Sequence, residues 1–263
     1  MIFAHGITPF KRQRPSGGAA AWVNTNSVLL DGVDETINID GVEAEMDGYS
    51  TGTISLWVKP VDATPSGTEV FVGFGDTNAN AFVYLFITTT GLLRAVGRTA
   101  AAVQWNVDTD AAAFSDNTWT HIALVQDGVS PVLYVNGSAP AQAFSVTTDK
   151  TMWIDEAGID NGRLGCLNRN SAGDAFFFNG NIDEFVCTSD AKNASAISDI
   201  YNSGTPKDES SISSGISYLR LGDHPSDNYN SDVANEWRFY DSIGSNNSDS
   251  VNLEEADVEA DTP

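Results

Sequence analysis

From residue 27 to about residue 204 the chain reads as short apolar runs separated by turn residues, the pattern of an all-β protein. Ser27–Leu30 and Thr36–Ile39 flank the turn Asp31–Gly32–Val33–Asp34. In Thr53–Val58, Ile54, Leu56 and Val58 alternate with Thr53, Ser55 and Trp57, so both faces carry apolar groups. Such a strand is predicted to lie inside a sandwich, covered on both sides. Val70–Gly73, Ala81–Thr88 and Leu92–Gly97 continue the series. Trp119–Gln126 and Pro131–Val135 are joined by Asp127–Gly128, and Asn136–Gly137 is the strongest hairpin-turn signal in the chain. Arg163–Cys166 and Ile182–Cys187 complete the set. One short helix is predicted at Asn193–Tyr201, with Ala196, Ile197 and Ile200 on one side and Gly204 as its stop.

The flanks differ from this middle. In residues 1–26 the basic groups Lys11, Arg12 and Arg14 stand without any Asp or Glu, among Pro9, Pro15, Gly17 and Gly18. An extended basic arm is expected there, with Lys11, Arg12 and Arg14 anchoring the protein to a partner surface by charge-assisted contacts. Residues 205–263 carry thirteen acidic side chains against Lys207, Arg220 and Arg238. Ile216–Leu221 and Trp237–Tyr240 still read as strands there, and the last dozen residues as a solvated tail or strap. The organisation expected is an arm at 1–26, a sandwich at 27–204 and an acidic C-terminal segment at 205–263.

Composition narrows the partners. Only 19% of the residues are charged, and the polar surface comes from Asn, Ser, Thr and Gly, which suits a loop-rich β protein. The net charge of −23 repels phosphate backbones and anionic lipid, so neither nucleic acid nor membrane is an expected partner. No stretch approaches the roughly 18 apolar residues of a membrane helix. The opening MIFAHGITPFKRQRP lacks the apolar run of a signal peptide. Cys166 and Cys187 form no disulfide framework and read as small buried thiols.

Ordered segments then resemble the laminin-G-like branch of the concanavalin A-like lectin/glucanase superfamily. They are SVLLDGVDETINI at 27–39, TGTISLWVKP at 51–60, NTWTHIALVQDGVSPVLYVNGS at 117–138 and FFNGNIDEFVCTSDAKNASAISDIYNSG at 177–204. The resemblance implies a jelly roll of two antiparallel sheets packed face to face, with one short helix and extended terminal segments. SYLRLGDHPSDNYNSDVANEWRFYDSIGSNNSDSVNL is similar to the stretch that such modules place before their opening strand, but here it follows the closing one. A permuted strand, supplied in cis or to a neighbouring subunit, is expected from it. The whole arrangement resembles small virion proteins of tailed phages. It implies a structural protein of the particle surface, on the capsid or the tail, with other virion proteins as partners and a homo-oligomeric state. The alternative is a calcium-dependent carbohydrate-binding adhesin that recognises host glycans.

Catalysis is not expected. The glucanases of the superfamily use carboxylates spaced E-x-D-x-x-E on one strand, and no such spacing occurs. Glu43, Glu45 and Asp47 come nearest, in what reads as a loop. His5, His121 and His224 fall in the arm, a core strand and a loop, outside any metal or nucleophile motif. The resemblance implies one structural calcium between the opening and closing strands, at Asp31, Asp34 and Asp183. Asp76, Asn78 and Asn80 form a second oxygen-rich loop. Sugar binding calls for an aromatic ring beside amide and carboxylate groups, which Trp105 beside Asn106, and Phe176–Phe178 with Asn168, Asn170 and Asp174, provide.

Overall fold

A computed structural model describes residues 22–263 apart from 157 and 231–235. Strands β1 (Ser27–Asp31) and β2 (Thr36–Asn38) lead into helix α1 (Asp40–Met46). Next come β3 (Gly52–Pro60), β4 (Glu69–Gly75), β5 (Phe82–Ile87), β6 (Leu93–Arg98) and β7 (Val103–Thr109). β8 (Thr120–Gln126), β9 (Pro131–Val135), β10 (Gln142–Thr147) and β11 (Asn161–Leu164) precede a small hairpin of β12 (Leu167–Asn168) and β13 (Asp174–Ala175). The long β14 (Asn179–Thr188) is followed by helix α2 (Ala194–Tyr201). The C-terminal segment adds β15 (Gly215–Leu219), β16 (Asn228–Tyr229), β17 (Trp237–Phe239), β18 (Ser248–Val251) and β19 (Val258–Glu259).

These strands form an antiparallel sandwich. The back sheet runs β19-β1-β14-β3-β8-β9, with β15 also on β14; the front sheet runs β10-β7-β6-β5-β4-β11-β2-β18-β17-β16. Alternation decides which side chains meet between them. Ile54, Leu56 and Val58 of β3 and Val83, Leu85 and Ile87 of β5 enter one core with Phe71, Phe74, Trp105, Trp153, Phe178 and Phe185. Trp105 is fully buried there, and its Nε1 donates to the Met152 carbonyl at 2.8 Å. Room for its indole comes from Gly97 on the paired strand, where a Cβ would stand 2.3 Å from the ring. Cys166 and Cys187 are free and buried.

Several local readings change. The segment read as a loop around Glu43–Asp47 begins as α1, because Val42 and Met46, four apart, turn the same helical face into the core. β7 and β10 are additional to the strands expected: β7 alternates Val103, Trp105 and Val107 with a polar outer face, and β10 alternates half-buried with exposed residues. Asn136 and Gly137 do take left-handed backbone, with φ of 48° and 75°, and close a bridge between Val135 and Ser138. The chain then crosses to the front sheet, where β10 pairs with β7, so no long hairpin follows that turn.

The C-terminal segment serves both sheets within the one chain. β15 pairs with Phe185–Thr188 of β14, continuing the edge that β1 occupies along Asn179–Ile182, while β19 covers β1 and β18 pairs with β2. Where β1 gives way to β15, β14 carries a bulge at Asp183–Glu184, with Glu184 at φ 51°. Among the described residues no helix is long and apolar enough to cross a membrane.

Candidate functional site

The outer face of the front sheet carries a groove of about 270 Å³. Its floor follows from strand alternation: with Val83, Leu85 and Ile87 facing the core, Phe82, Tyr84 and Phe86 of β5 face out. Antiparallel register extends each of them sideways. Phe82 sits opposite Arg98 of β6, Tyr84 opposite Val96, and Phe86 opposite Arg94. Val96 in turn faces Asn106 of β7, and Asn106 faces Val146 of β10. Phe82 meets the Tyr84 ring edge-on at 4.9 Å, and Tyr84 stacks on Phe86 at 4.5 Å with 6° between planes.

One wall is the β12–β13 hairpin, which lies directly on β4. Gly73 and Gly75 permit this approach: a Cβ on Gly73 would be 2.8 Å from the Cys166 carbonyl oxygen, and one on Gly75 would be 2.0 Å from that of Asn168. The hairpin brings Arg169 over the floor, its guanidinium 4.9 Å from the Phe82 ring centre and 5.8 Å from that of the half-exposed Phe176. Arg94 is neutralised by Asp108 across the strand pair through a two-point contact, both bonds at 2.5 Å. Arg98 and Arg169 instead bind Asn80: Arg98 Nε donates to its carbonyl oxygen at 2.9 Å, and Arg169 Nη1 to its side-chain oxygen. Burial pushes the Tyr84 phenol upward, so it keeps its proton and can donate a hydrogen bond.

Of the sugar-site residues expected from the sequence, Asn106 alone lines this groove. Trp105 cannot serve as a platform, because its strand turns it into the core; its neighbour Asn106 faces outward instead. Asn168, Asn170 and Asp174 shape the hairpin: Asn168 pairs with Asp174, Asp174 faces Arg163 Nε at 3.6 Å, and the Asn170 amide donates to the Asp76 and Ala79 carbonyls. The groove residue is Arg169, flanked by the two asparagines. Phe82, Tyr84 and Phe86 escaped notice because every position of FVYLFI is apolar, and no alternation marks an outer face.

The proposed calcium ligands are not brought together either. Asp31 lies opposite Asn179, four residues from Asp183 along β14, or roughly 13 Å at strand spacing. Asp31 Oδ1 accepts from the Val33 amide at 2.7 Å, capping its turn, and Asp34 is exposed. Asp183 is fully buried, its oxygens taken by Asn24 Nδ2 at 2.9 Å and the Glu184 amide at 2.8 Å. In the second loop Asp76 accepts from the Asn78 and Ala79 amides, and the Asn80 oxygen is held by Arg169. These sets do not fit a cation that wants six to eight free oxygen ligands. Among the described residues no group of three or more His, Cys, Asp and Glu is arranged to hold a metal.

A second polar cluster sits on the outer face of the back sheet, but it is closed. The Tyr218 hydroxyl donates to Glu184 Oε2 and accepts from Trp22 Nε1 at 3.2 Å. Burial raises the Asp183 carboxyl and pushes Glu184 up to about 8. Nearby, His121 Nε2 lies 2.7 Å from Ser55 Oγ beneath Tyr201, and burial pushes its pKa down to about 3, so it is neutral and packed. The anchoring residues Lys11, Arg12 and Arg14 lie outside the described residues.

A family model for the concanavalin A-like lectin/glucanases superfamily matches residues 30–198. A search of curated proteins gives no match. Among solved structures, the chain is similar to the CBM40 module of a Ruminococcus gnavus IT-sialidase bound to α2,3-sialyllactose, with 19% identity and a TM-score of 0.55 over 66% of this chain and 96% of that one. It is also similar to a leech intramolecular trans-sialidase, with 18% identity and a TM-score of 0.57 over 82% of this chain and 35% of that one. A variant of the NanB sialidase from Streptococcus pneumoniae gives 17% identity and a TM-score of 0.56 over 86% of this chain and 38% of that one. Identities of this size establish a common fold.

Proposed function

Because the chain belongs to the concanavalin A-like lectin/glucanase superfamily, we propose that it is a glycan-binding module without catalytic activity, with its site in the front-sheet groove. The observation that carries this reading is the row Phe82–Tyr84–Phe86 on the outer face of the front sheet, where the half-buried Tyr84 ring lies between two buried phenylalanines. A flat ring receives the C–H face of a sugar, and Asn106 and the Tyr84 hydroxyl stand at its margin for the sugar hydroxyls. No carboxylate lines the groove, whereas glycoside hydrolysis uses two of them. The module of a sialidase bound to sialyllactose, similar in fold, agrees with this reading.

A glycan array followed by titration calorimetry tests it. Tyr84→Ala is expected to abolish binding while leaving the far-ultraviolet circular dichroism unchanged; binding untouched by that substitution would move the site elsewhere. Binding is also expected to persist in EDTA, since no acidic oxygen lines the groove; loss on chelation would restore the calcium-dependent reading. The finer reading, display on a virus particle through the basic arm, is favoured by the fixed root of that arm. Asp223 accepts from the Thr25 amide and hydroxyl, both at 2.6 Å, and Arg220 Nη2 donates to the Val23 carbonyl at 2.7 Å. Deleting residues 1–20 is expected to prevent incorporation into particles, and unchanged incorporation would overturn that role.

A further inference from the structure

The chain holds thirteen Lys and Arg against thirty-six Asp and Glu, so a cation finds an acidic partner at little cost. Lys59, Arg94, Arg163, Lys192, Lys207 and Arg238 all do so. Arg98, Lys150, Arg169 and Arg220 make no ion pair among the described residues, and of these Arg98 and Arg169 stand together in the groove with the aromatic floor. Their neutral anchor is shared, Arg98 on the main-chain oxygen of Asn80 and Arg169 on its side-chain oxygen. Two like charges are thereby fixed in one wall.

We propose that the ligand of this groove carries a carboxylate, and that Arg98 and Arg169 receive it as specificity-determining residues. This rests on the glycan-binding reading of the same groove and adds the chemical class: an acidic sugar. The donors fit the role. Arg98 spends Nε on Asn80 and keeps its terminal nitrogens, while the buried Arg169 Nε has no hydrogen-bond partner among the described residues. A guanidinium presents planar paired N–H groups that match the two oxygens of a carboxylate, and the Phe82 ring beneath Arg169 holds that plane in place. Arg94 does not share the task, since Asp108 already fills its fork. The buried Asn106 Oδ1, also without a partner, supplies an acceptor for a sugar hydroxyl.

The test compares matched probes by calorimetry: lactose, sialyllactose, a glucuronic-acid-terminated disaccharide and sulfated lactose. The carboxylated probes are expected to bind on the order of 10- to 100-fold more tightly than lactose, the gain of a charge-assisted pair. Arg98→Gln and Arg169→Gln should each erase most of that preference, Arg98→Lys and Arg169→Lys should restore only part of it, and the surface control Arg238→Gln should change nothing. Thermal unfolding of each variant separates lost recognition from lost folding. Equal binding of lactose and the acidic probes, still abolished by Tyr84→Ala, overturns the acidic ligand and leaves the glycan reading standing. Preference for the sulfated probe alone overturns the carboxylate. Silence across the whole panel overturns the glycan reading, and this inference with it.

Discussion

The outer face of the back sheet is covered by three pieces of chain: α2, the segment Trp22–Asn26 and the C-terminal tail. Ile197 and Ile200 of α2 pack on Ala123, Val125 and Tyr134, while Asp261 binds Lys59 and accepts from Trp119 Nε1 at 3.0 Å. Beneath that cover the charged groups are paired or protonated. On the front sheet, the groove between the β12–β13 hairpin and β10 leaves Tyr84, Arg98 and Arg169 half-exposed above the buried Phe82 and Phe86. The outer face of the back sheet is thus closed by α2 and the two ends of the described chain, while the groove on the front sheet has no such cover. Cost explains the difference: a buried charge needs partners or a proton, whereas a half-exposed arginine is carried by solvent until an anion replaces it.

The comparison can be broken at several points. The largest effect is expected at Trp105, which belongs to the core and not to the groove. Trp105→Ala should destabilise by about 3–5 kcal/mol in urea unfolding, from the cavity and the lost Nε1 bond. Tyr84→Ala, two strands away on the open face, should cost far less and act on binding instead.

Next comes pH. Burial is the largest cause that pushes Glu35 and Glu184 up to about 8 and Glu43 and Glu209 to about 7, from 4.5. The folded state therefore holds protons that the unfolded chain releases once pH exceeds 4.5. Their contribution to stability is complete below that value and is lost as pH rises through 7 to 8. Self-repulsion at −23 acts in the same direction. Calorimetric Tm should fall by roughly 5–10 °C between about pH 5 and about pH 9. Glu184→Gln should flatten part of that fall, and a Tm that rises with pH would refute the protonated cluster.

A smaller loss, about 1–2 kcal/mol, is expected for Tyr218→Phe, which removes the donor to Glu184 and the acceptor for Trp22. The smallest belongs to Arg238→Gln. Its bond to Asp249 at 2.9 Å is exposed on both sides, and the change in stability should stay within about 0.5 kcal/mol.

How much could be read in advance depends on the strand. Thr53–Val58 announced burial on both faces, and β3 is covered on both. Asn193–Tyr201 announced a helix, and Asn193 caps α2 by accepting from the Ala196 amide at 3.0 Å. β7 is missing from the strands expected above, although VQWNVDT alternates apolar with polar residues as a half-buried strand does. That omission made Trp105 look like a sugar platform. Asn168, Asn170 and Asp174 fell close to the site, since polar loop residues do mark the hairpin, but the cation between them was passed over.

The sequence by itself determined the two-sheet sandwich, because period-two alternation and turn chemistry are local properties that residues carry with them. It also determined the acidity of the surface. Only the tertiary structure decided which face of FVYLFI is open, for a strand apolar on both sides has no preferred outside until its neighbours are placed. It alone decided, too, that Arg94 meets Asp108 while Arg98 and Arg169 meet only Asn80. Ion pairing depends on cross-strand register and on where a distant hairpin lands, and neither is written in the spacing of residues along the chain.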